Sequence, residues 1–432
     1  MLSFHPRTLL GALLALSLQA QQPPQQTEVV LSATSSAKLV LGMSSPKLAG
    51  LDPALVTTEF TGVLKRDLDE SGVMALLQER VPADGAPLKA WKEAGAQWLL
   101  AVKLAKQAQG DLQMEATSLD TGAEKTVFTR TYNANRIVPL RHLAHYLADD
   151  LVARLTGEKG VASSRIIFVK QLSPGVKEIF QMDRDGAGLV QLTRHGSLTL
   201  APTVASDGRL AYVTYKGGLP EIWGQRRKDG PQERIFPTTS AGAGGMVSSP
   251  VWSPDGKRMA FVQGDRRGNS DILVLDLASG RIRRLTDGNG INTEPSWNPN
   301  GTQIAFTSDR EGGPQVYLMQ DDGSNLRRLT GEGLYNASPA WSPNGAMVAY
   351  VSRFEGKFDL FIYKLGEGKA YQITTGVSTS ESPSWAPDER HLVFTSNRFG
   401  SSQLFTSDLS GRQILRMADL AGCQSPRWIR GR

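Results

Sequence analysis

Cysteine is almost absent: Cys423 is the only one in 432 residues. A lone thiol cannot close an intrachain disulfide, and it cannot build a cysteine-based zinc site. Long apolar runs are missing too, and beyond residue 20 none approaches the 18 residues that a membrane-crossing helix needs. No Gly-x-Ser-x-Gly elbow, helical His-Glu-x-x-His or phosphate-binding Gly-x-x-x-x-Gly-Lys occurs, so serine-hydrolase, zinc-peptidase and P-loop readings find no anchor. No catalytic residue, metal ligand or cofactor site is therefore expected. Charge of one sign is scarce as well. The net +6 arises in 158–432, with 33 basic and 27 acidic side chains, whereas 21–157 carries 14 and 15. A surplus this thin over so many residues serves solubility, and nucleic acid is not an expected partner.

What is present begins with an address. Met1 to Ala20 has His5 and Arg7, an apolar run from Leu9 to Leu18 and a small residue before Gln21, the pattern of a cleaved secretory signal. With 40% apolar and 21% charged residues, the remainder reads as globular rather than disordered. After a flexible tail over 21–37, residues 38–157 mix short apolar strands with amphipathic helices. Asp52-Pro53 is a helix start, with Asp52 as N-cap and Pro53 in the first turn. Thr156-Gly157 is a helix stop. Such a mixture predicts one small α/β domain. His142 and His145, three apart on its last helix, are expected to be surface or interface residues rather than metal ligands.

From Arg165 a phrase recurs: Ser249-Pro250-Val251-Trp252, Glu294-Pro295-Ser296-Trp297, Ser338-Pro339-Ala340-Trp341 and Ser382-Pro383-Ser384-Trp385, with a worn copy at Ala201-Pro202 and a truncated one at Ser425-Pro426-Arg427-Trp428. Its prolines stand at 202, 250, 295, 339, 383 and 426. Five of the eight tryptophans occupy its last position. A Pro-Asp-Gly or Pro-Asn-Gly turn usually follows, where proline presets one φ and glycine accepts a positive one. Then come strands expected to have period 2, such as Ile304-Ala305-Phe306-Thr307. Four strands about every 44 residues are the mark of a β-propeller blade. Six segments carry second-to-fourth strands, but the one starting near Ile166 lacks a phrase, and the phrase at Pro426 lacks a segment. The expected fold class is thus mainly β: a six-bladed propeller over 158–432, its ring closed by the C-terminal strand, preceded by the small α/β domain.

Other signals read as structure. Asp183-Arg184-Asp185-Gly186 falls at a third-to-fourth-strand turn and is hairpin chemistry rather than a calcium loop. Ser308-Asp309-Arg310 and Ser396-Asn397-Arg398 recur as turns, and Gly242 to Gly245 reads as a loop between blades. The residues before each innermost strand, Asn292-Thr293-Glu294, Val247-Ser248-Ser249, Asn336-Ala337-Ser338 and Ser380-Glu381, are expected to gather at one mouth of the central channel, a usual place for partner binding.

This order of parts, with Asp287-Gly288 through Asn292-Thr293-Glu294-Pro295-Ser296-Trp297, Ala305 to Asp309, Pro314 to Tyr317, and the junction Leu155-Thr156-Gly157 to Lys159-Gly160, resembles the TolB family of the Gram-negative Tol-Pal envelope system. The resemblance implies a non-enzymatic periplasmic adaptor, expected to be monomeric, that supports outer-membrane integrity and cell division. It implies that the peptidoglycan-associated lipoprotein, Pal, binds at the propeller mouth, and that the mature N-terminus engages TolA. The matched motif carries Pal contact to Asn292, Thr293 and Glu294, and blade equivalence adds Ser249 and Ser338. The Pro/Gln-rich stretch Gln21 to Gln26 and the Gly-rich region before Met246 depart from the family pattern. Two other readings stay open: a propeller for a small ligand or glycan, and a peptidase-type propeller without its hydrolase.

Overall fold

Leu39–Met43 (β1) enters the middle of a sheet, and it does so because its side chains are apolar on both faces. The structure, a computed structural model, describes residues 38–431 apart from 136–137, 238–244, 289, 332, 355 and 377. The expected signal, the tail and most of the Gly242–Gly245 loop lie outside these residues. The next elements are β2 (Lys47–Ala49), α1 (Pro53–Val56), α2 (Gly62–Glu70), β3 (Met74–Leu76), α3 (Leu88–Glu93), β4 (Trp98–Lys106), β5 (Leu112–Asp120), β6 (Lys125–Ala134) and α4 (Leu140–Thr156). The sheet order is β3-β1-β4-β5-β6, with β2 beside β4. β1 is parallel to β3 and β4, and β4, β5 and β6 form an antiparallel meander.

The expected signals hold at both helix ends. Asp52 accepts the Ala54 amide at 3.0 Å, and Gly157 adopts φ 76° as the left-handed cap of α4. Between α1 and α2 the helix widens into a single π turn over Thr57–Thr61. Helices cover one face of the sheet, where Phe60, Leu64, Leu68, Leu100, Met114 and Leu147 are buried together. The other face is polar at Lys103–Glu115, Gln113–Asn133 and Thr117–Thr129. The apolar pattern does not reveal β2, which has three residues and only one large apolar side chain.

The ring has six four-stranded blades and closes as expected. The last strand, Cys423–Ile429, pairs antiparallel with Arg165–Ser173 and completes the first blade. The two chain ends therefore share one sheet, which locks the ring between its first and last blades. We number blades from this one, so that blade 4 begins at Asn292–Trp297. The second strands differ from the expected alternation. Ile304, Ala305, Phe306 and Thr307 are all buried, because each sheet is sandwiched between two neighbouring blades and both of its faces are dry. Arginines then staple blades together: Arg209 lies over Trp252 with its guanidinium 4.5 Å from the ring centroid, and Arg258 lies over Trp297 at 4.9 Å.

The small domain sits on the face that carries the 1–2 and 3–4 turns, opposite the ends at which the first strands begin. The turn at Asp183–Gly186, which reads locally as hairpin chemistry, is the centre of this contact. Asp185 receives Arg66 at 2.6 Å and also Arg141. Asp183 receives Arg141 at 2.9 Å and His142 at 3.2 Å, and Arg184 reaches Glu70 at 2.8 Å. His145 is buried against Asp67 at 2.6 Å and reaches Asp185 of the ring at 3.6 Å. Both histidines are therefore interface residues with carboxylate partners. The segment joining α4 to the ring is held as well, since Asp149 accepts the amides of Ala162 and Ser163 at 2.6 and 3.0 Å.

Candidate functional site

All six first strands begin at the uncovered mouth, and all six break register there in the same way. The residue before each proline of the repeat, Ala201, Ser249, Glu294, Ser338, Ser382 or Ser425, has a left-handed φ between 48° and 55°. The break falls between Thr293 and Ser296 in blade 4 and at the matching place in the others. Proline disfavours the right-handed helical region for the residue before it, while a bulge needs one residue to leave the strand path and so re-aims its side chain. A non-glycine residue there costs roughly 1–2 kcal/mol, which the paired strand around it must offset. Repetition of this strained position around one opening marks the mouth as built, not incidental.

The residues expected at the mouth lie in the first half of the strand itself, not in a loop before it. Asn292 is fully buried. Its Oδ1 accepts from Ser308 Oγ at 2.9 Å and Arg310 at 2.7 Å, and its Nδ2 donates to the Ser270 carbonyl at 3.0 Å. Its side chain thus holds the strand entry. Thr293 is half-buried beside Thr307 across the ladder. The Glu294 carboxylate accepts Ser338 Oγ at 2.6 Å, the Ser338 amide at 2.8 Å and Thr307 Oγ1 at 2.8 Å, so it ties blade 4 to blade 5. Structure therefore brings Thr293, Glu294 and Ser338 together, while Ser249 stands at the matching bulge of blade 3.

Electrostatics distinguish one side of the opening. Burial within the walls of the mouth pushes the Glu381 carboxyl up, and Glu294 adds to this. Glu381 is nonetheless solvent-exposed, as a side chain at the rim of a concavity can be. Around the rim stand exposed apolar side chains, Leu334 at 90% exposure, Leu219 at 64%, Met246 at 62% and Phe399 at 61%. Such a set is unusual for a free surface and suits a macromolecular contact.

The loops feeding the mouth are pinned by a device that the sequence reading missed. At the start of the third strand in blades 1, 3, 4 and 5 a buried polar side chain accepts a threonine hydroxyl 15 residues later: Glu178 from Thr193 at 2.5 Å, Asp271 from Thr286 at 2.6 Å, Gln315 from Thr330 at 2.7 Å and Asp359 from Thr374 at 2.8 Å. Asp271 also accepts the Gly288 amide at 2.8 Å, which fixes the approach to Asn292. The constant spacing from a Leu-Thr or Ile-Thr pair was the available signal. The Ser308-Asp309-Arg310 repeat is structural as expected, since Asp309 accepts the Ile291 amide at 2.7 Å.

The family model for the TolB beta propeller domain matches residues 152–430. A protein TolB homolog of Chlorobium chlorochromatii is 32% identical over 270 residues, covering 60% of this chain and 59% of that protein. The Tol-Pal system protein TolB of Anaeromyxobacter dehalogenans is 33% identical over 300 residues, 66% of each. The matched part thus spans about three-fifths to two-thirds of these relatives. The crystal structure of TolB from Acinetobacter baumannii superposes with a TM-score of 0.78 at 26% identity, over 90% of this chain and 96% of that one.

Proposed function

We propose a function from the premise that this chain belongs to the TolB beta propeller family: it is a non-enzymatic periplasmic adaptor that binds a Pal-type peptidoglycan-associated lipoprotein at the propeller mouth. Through that contact it supports outer-membrane integrity and constriction at division. The observation that carries this reading is the mouth itself, six strained bulges facing away from the small domain and rimmed by exposed apolar side chains. Loops and strand ends on a rigid ring hold a binding surface without an ordering cost at the moment of contact. Direct contact falls to Thr293, Glu294, Ser249 and Ser338, with Asn292 positioning them. Engagement of TolA by the segment before residue 38 belongs to the same proposal, as does a periplasmic location.

The test is a calorimetric titration of residues 21–432 against the Pal-type lipoprotein domain of the same organism. Saturable one-to-one binding is expected, and Thr293→Arg should weaken it through bulk and charge while the melting curve stays in place. Absence of binding at high micromolar concentration removes this reading. Equal affinity in Thr293→Arg removes Thr293 from the contact.

A further inference from the structure

The first strands touch one another in a closed ring: Cys423–Ile429 neighbours those of blades 2 and 6, and Asn292–Trp297 neighbours those of blades 3 and 5. Blades 1 and 4 are therefore diametrically opposed across the channel. The fifth position of the repeated strand carries Thr203, Val251, Ser296, Ala340 and Ser384 in five blades. Two of these side chains finish the seam between blades, since Ser296 Oγ accepts the Trp341 amide at 3.2 Å and Ser384 Oγ accepts the Trp428 amide at 3.1 Å. In blade 1 the same position is Arg427, the one charged residue of the six.

Arg427 is half-buried in the channel wall. Burial pulls its guanidinium below its ordinary range, and Glu294 on the opposite blade acts the other way. The two strands face each other across the ring, so Arg427 and Glu294 stand on opposite sides of the channel. Among the described residues no carboxylate lies within ion-pair reach of Arg427, and its hydrogen bond goes to the carbonyl of its own neighbour Pro426 at 3.1 Å. Glu294 does not close the gap, because its oxygens already hold Ser338 and Thr307. A guanidinium has five N–H donors in a planar fork matched to a carboxylate. Leaving that fork without a counter-ion in an enclosed place costs solvation, and the other blades show that a small side chain suffices for the strand.

We infer that Arg427 is a carboxylate-recognition point inside the channel, engaged bidentately by an acidic group entering from the mouth. The inference rests on the mouth being the partner surface, and the occupant is a carboxylate presented by the docked protein partner. A free small carboxylate has the same chemistry, and the experiment separates the two sources.

Wild type, Arg427→Ser and Arg427→Lys are titrated with the lipoprotein domain, and each is melted in sodium acetate and in sodium chloride at equal ionic strength. The expected result is binding roughly 10- to 100-fold weaker for Arg427→Ser, the range of a charge-assisted hydrogen bond. Arg427→Lys should fall between, because it keeps the charge and loses the fork. Arg427→Ser should melt at or above wild type, since it removes an uncompensated charge and installs the side chain of Ser384. Equal partner affinities, with acetate raising the melting temperature of wild type alone, would keep the site and assign it to a free carboxylate. A marked fall in the melting temperature of Arg427→Ser, or equal partner affinities with no acetate effect, would overturn the inference. If the domain binds none of the three, the adaptor reading fails, and the acetate comparison decides Arg427 alone.

Discussion

Trp428→Ala tests whether the ring is held shut by its last strand. Trp428 is 7% exposed and packs with Ile166, Phe168, Met182 and Val393 where the chain ends meet. Its indole donates to Ser164 Oγ at 2.7 Å, and its ring is tilted against His391 with centroids 6.4 Å apart. Removing a buried aromatic costs about 3–5 kcal/mol, and the lost hydrogen bond adds about 1 kcal/mol. At roughly 2.1 cal/mol/K per residue over about 275 residues, the unfolding entropy is near 0.6 kcal/mol/K, so Tm should fall by about 7–10 °C. Scanning calorimetry measures this, and hydrogen exchange locates it: amides of Arg165–Ser173, which pair with the last strand, should exchange faster than those of the blade 4 second strand. Trp297→Ala is the control, equally buried but inside the ring and without a hydrogen bond from its indole. A fall below about 2 °C for Trp428→Ala, or unchanged exchange at 165–173, would refute the idea that this seam limits the ring's stability.

Asp185→Ala should cost about 3–5 kcal/mol, because Arg141, nearly buried, loses one of its two carboxylates, and calorimetry should then resolve separate melting of the small domain and the ring. Acid should loosen the same contact. Burial pushes the Asp183 and Asp185 carboxyls up, but their histidine, arginine and amide partners outweigh it and hold both below the ordinary value of 3.8. Their stabilisation is therefore present above 3.8 and lost as pH falls through the lower folded values, so cleavage of the 157–164 segment in limited proteolysis should rise only below about pH 4. Thr286→Val, which removes the hydroxyl held by Asp271, should cost about 1 kcal/mol and weaken partner binding severalfold through the loop leading to Asn292. Unchanged titration would show that this loop needs no such anchor.

Much of the architecture is written in short-range chemistry. Asp52-Pro53 and Gly157 act within one turn of backbone, so a reader of residues can place them, and the structure keeps them there. The blades are legible for a related reason: a turn that requires a proline φ followed by a positive φ constrains four adjacent residues, and the same demand returns in blades 3 to 6. Asn292 shows the limit. A polar residue at the head of a motif looks available, yet its amide is spent on Ser270, Ser308 and Arg310, partners on the preceding blade and on the next strand and its turn.

By itself, then, the sequence determined the class, the number of blades and the closure of the ring, because repetition makes each signal testable against five others. It also carried the family resemblance. Tertiary structure alone decided which face of the ring is covered. That depends on ion pairs such as Arg66 with Asp185, 119 residues apart, whose turn has the same local chemistry with or without a domain against it. Structure alone also placed the left-handed bulges, since a register break belongs to two strands and not to one. And it alone set Arg427 opposite Glu294, because facing positions in a ring are fixed by how the ring closes, not by their separation along the chain.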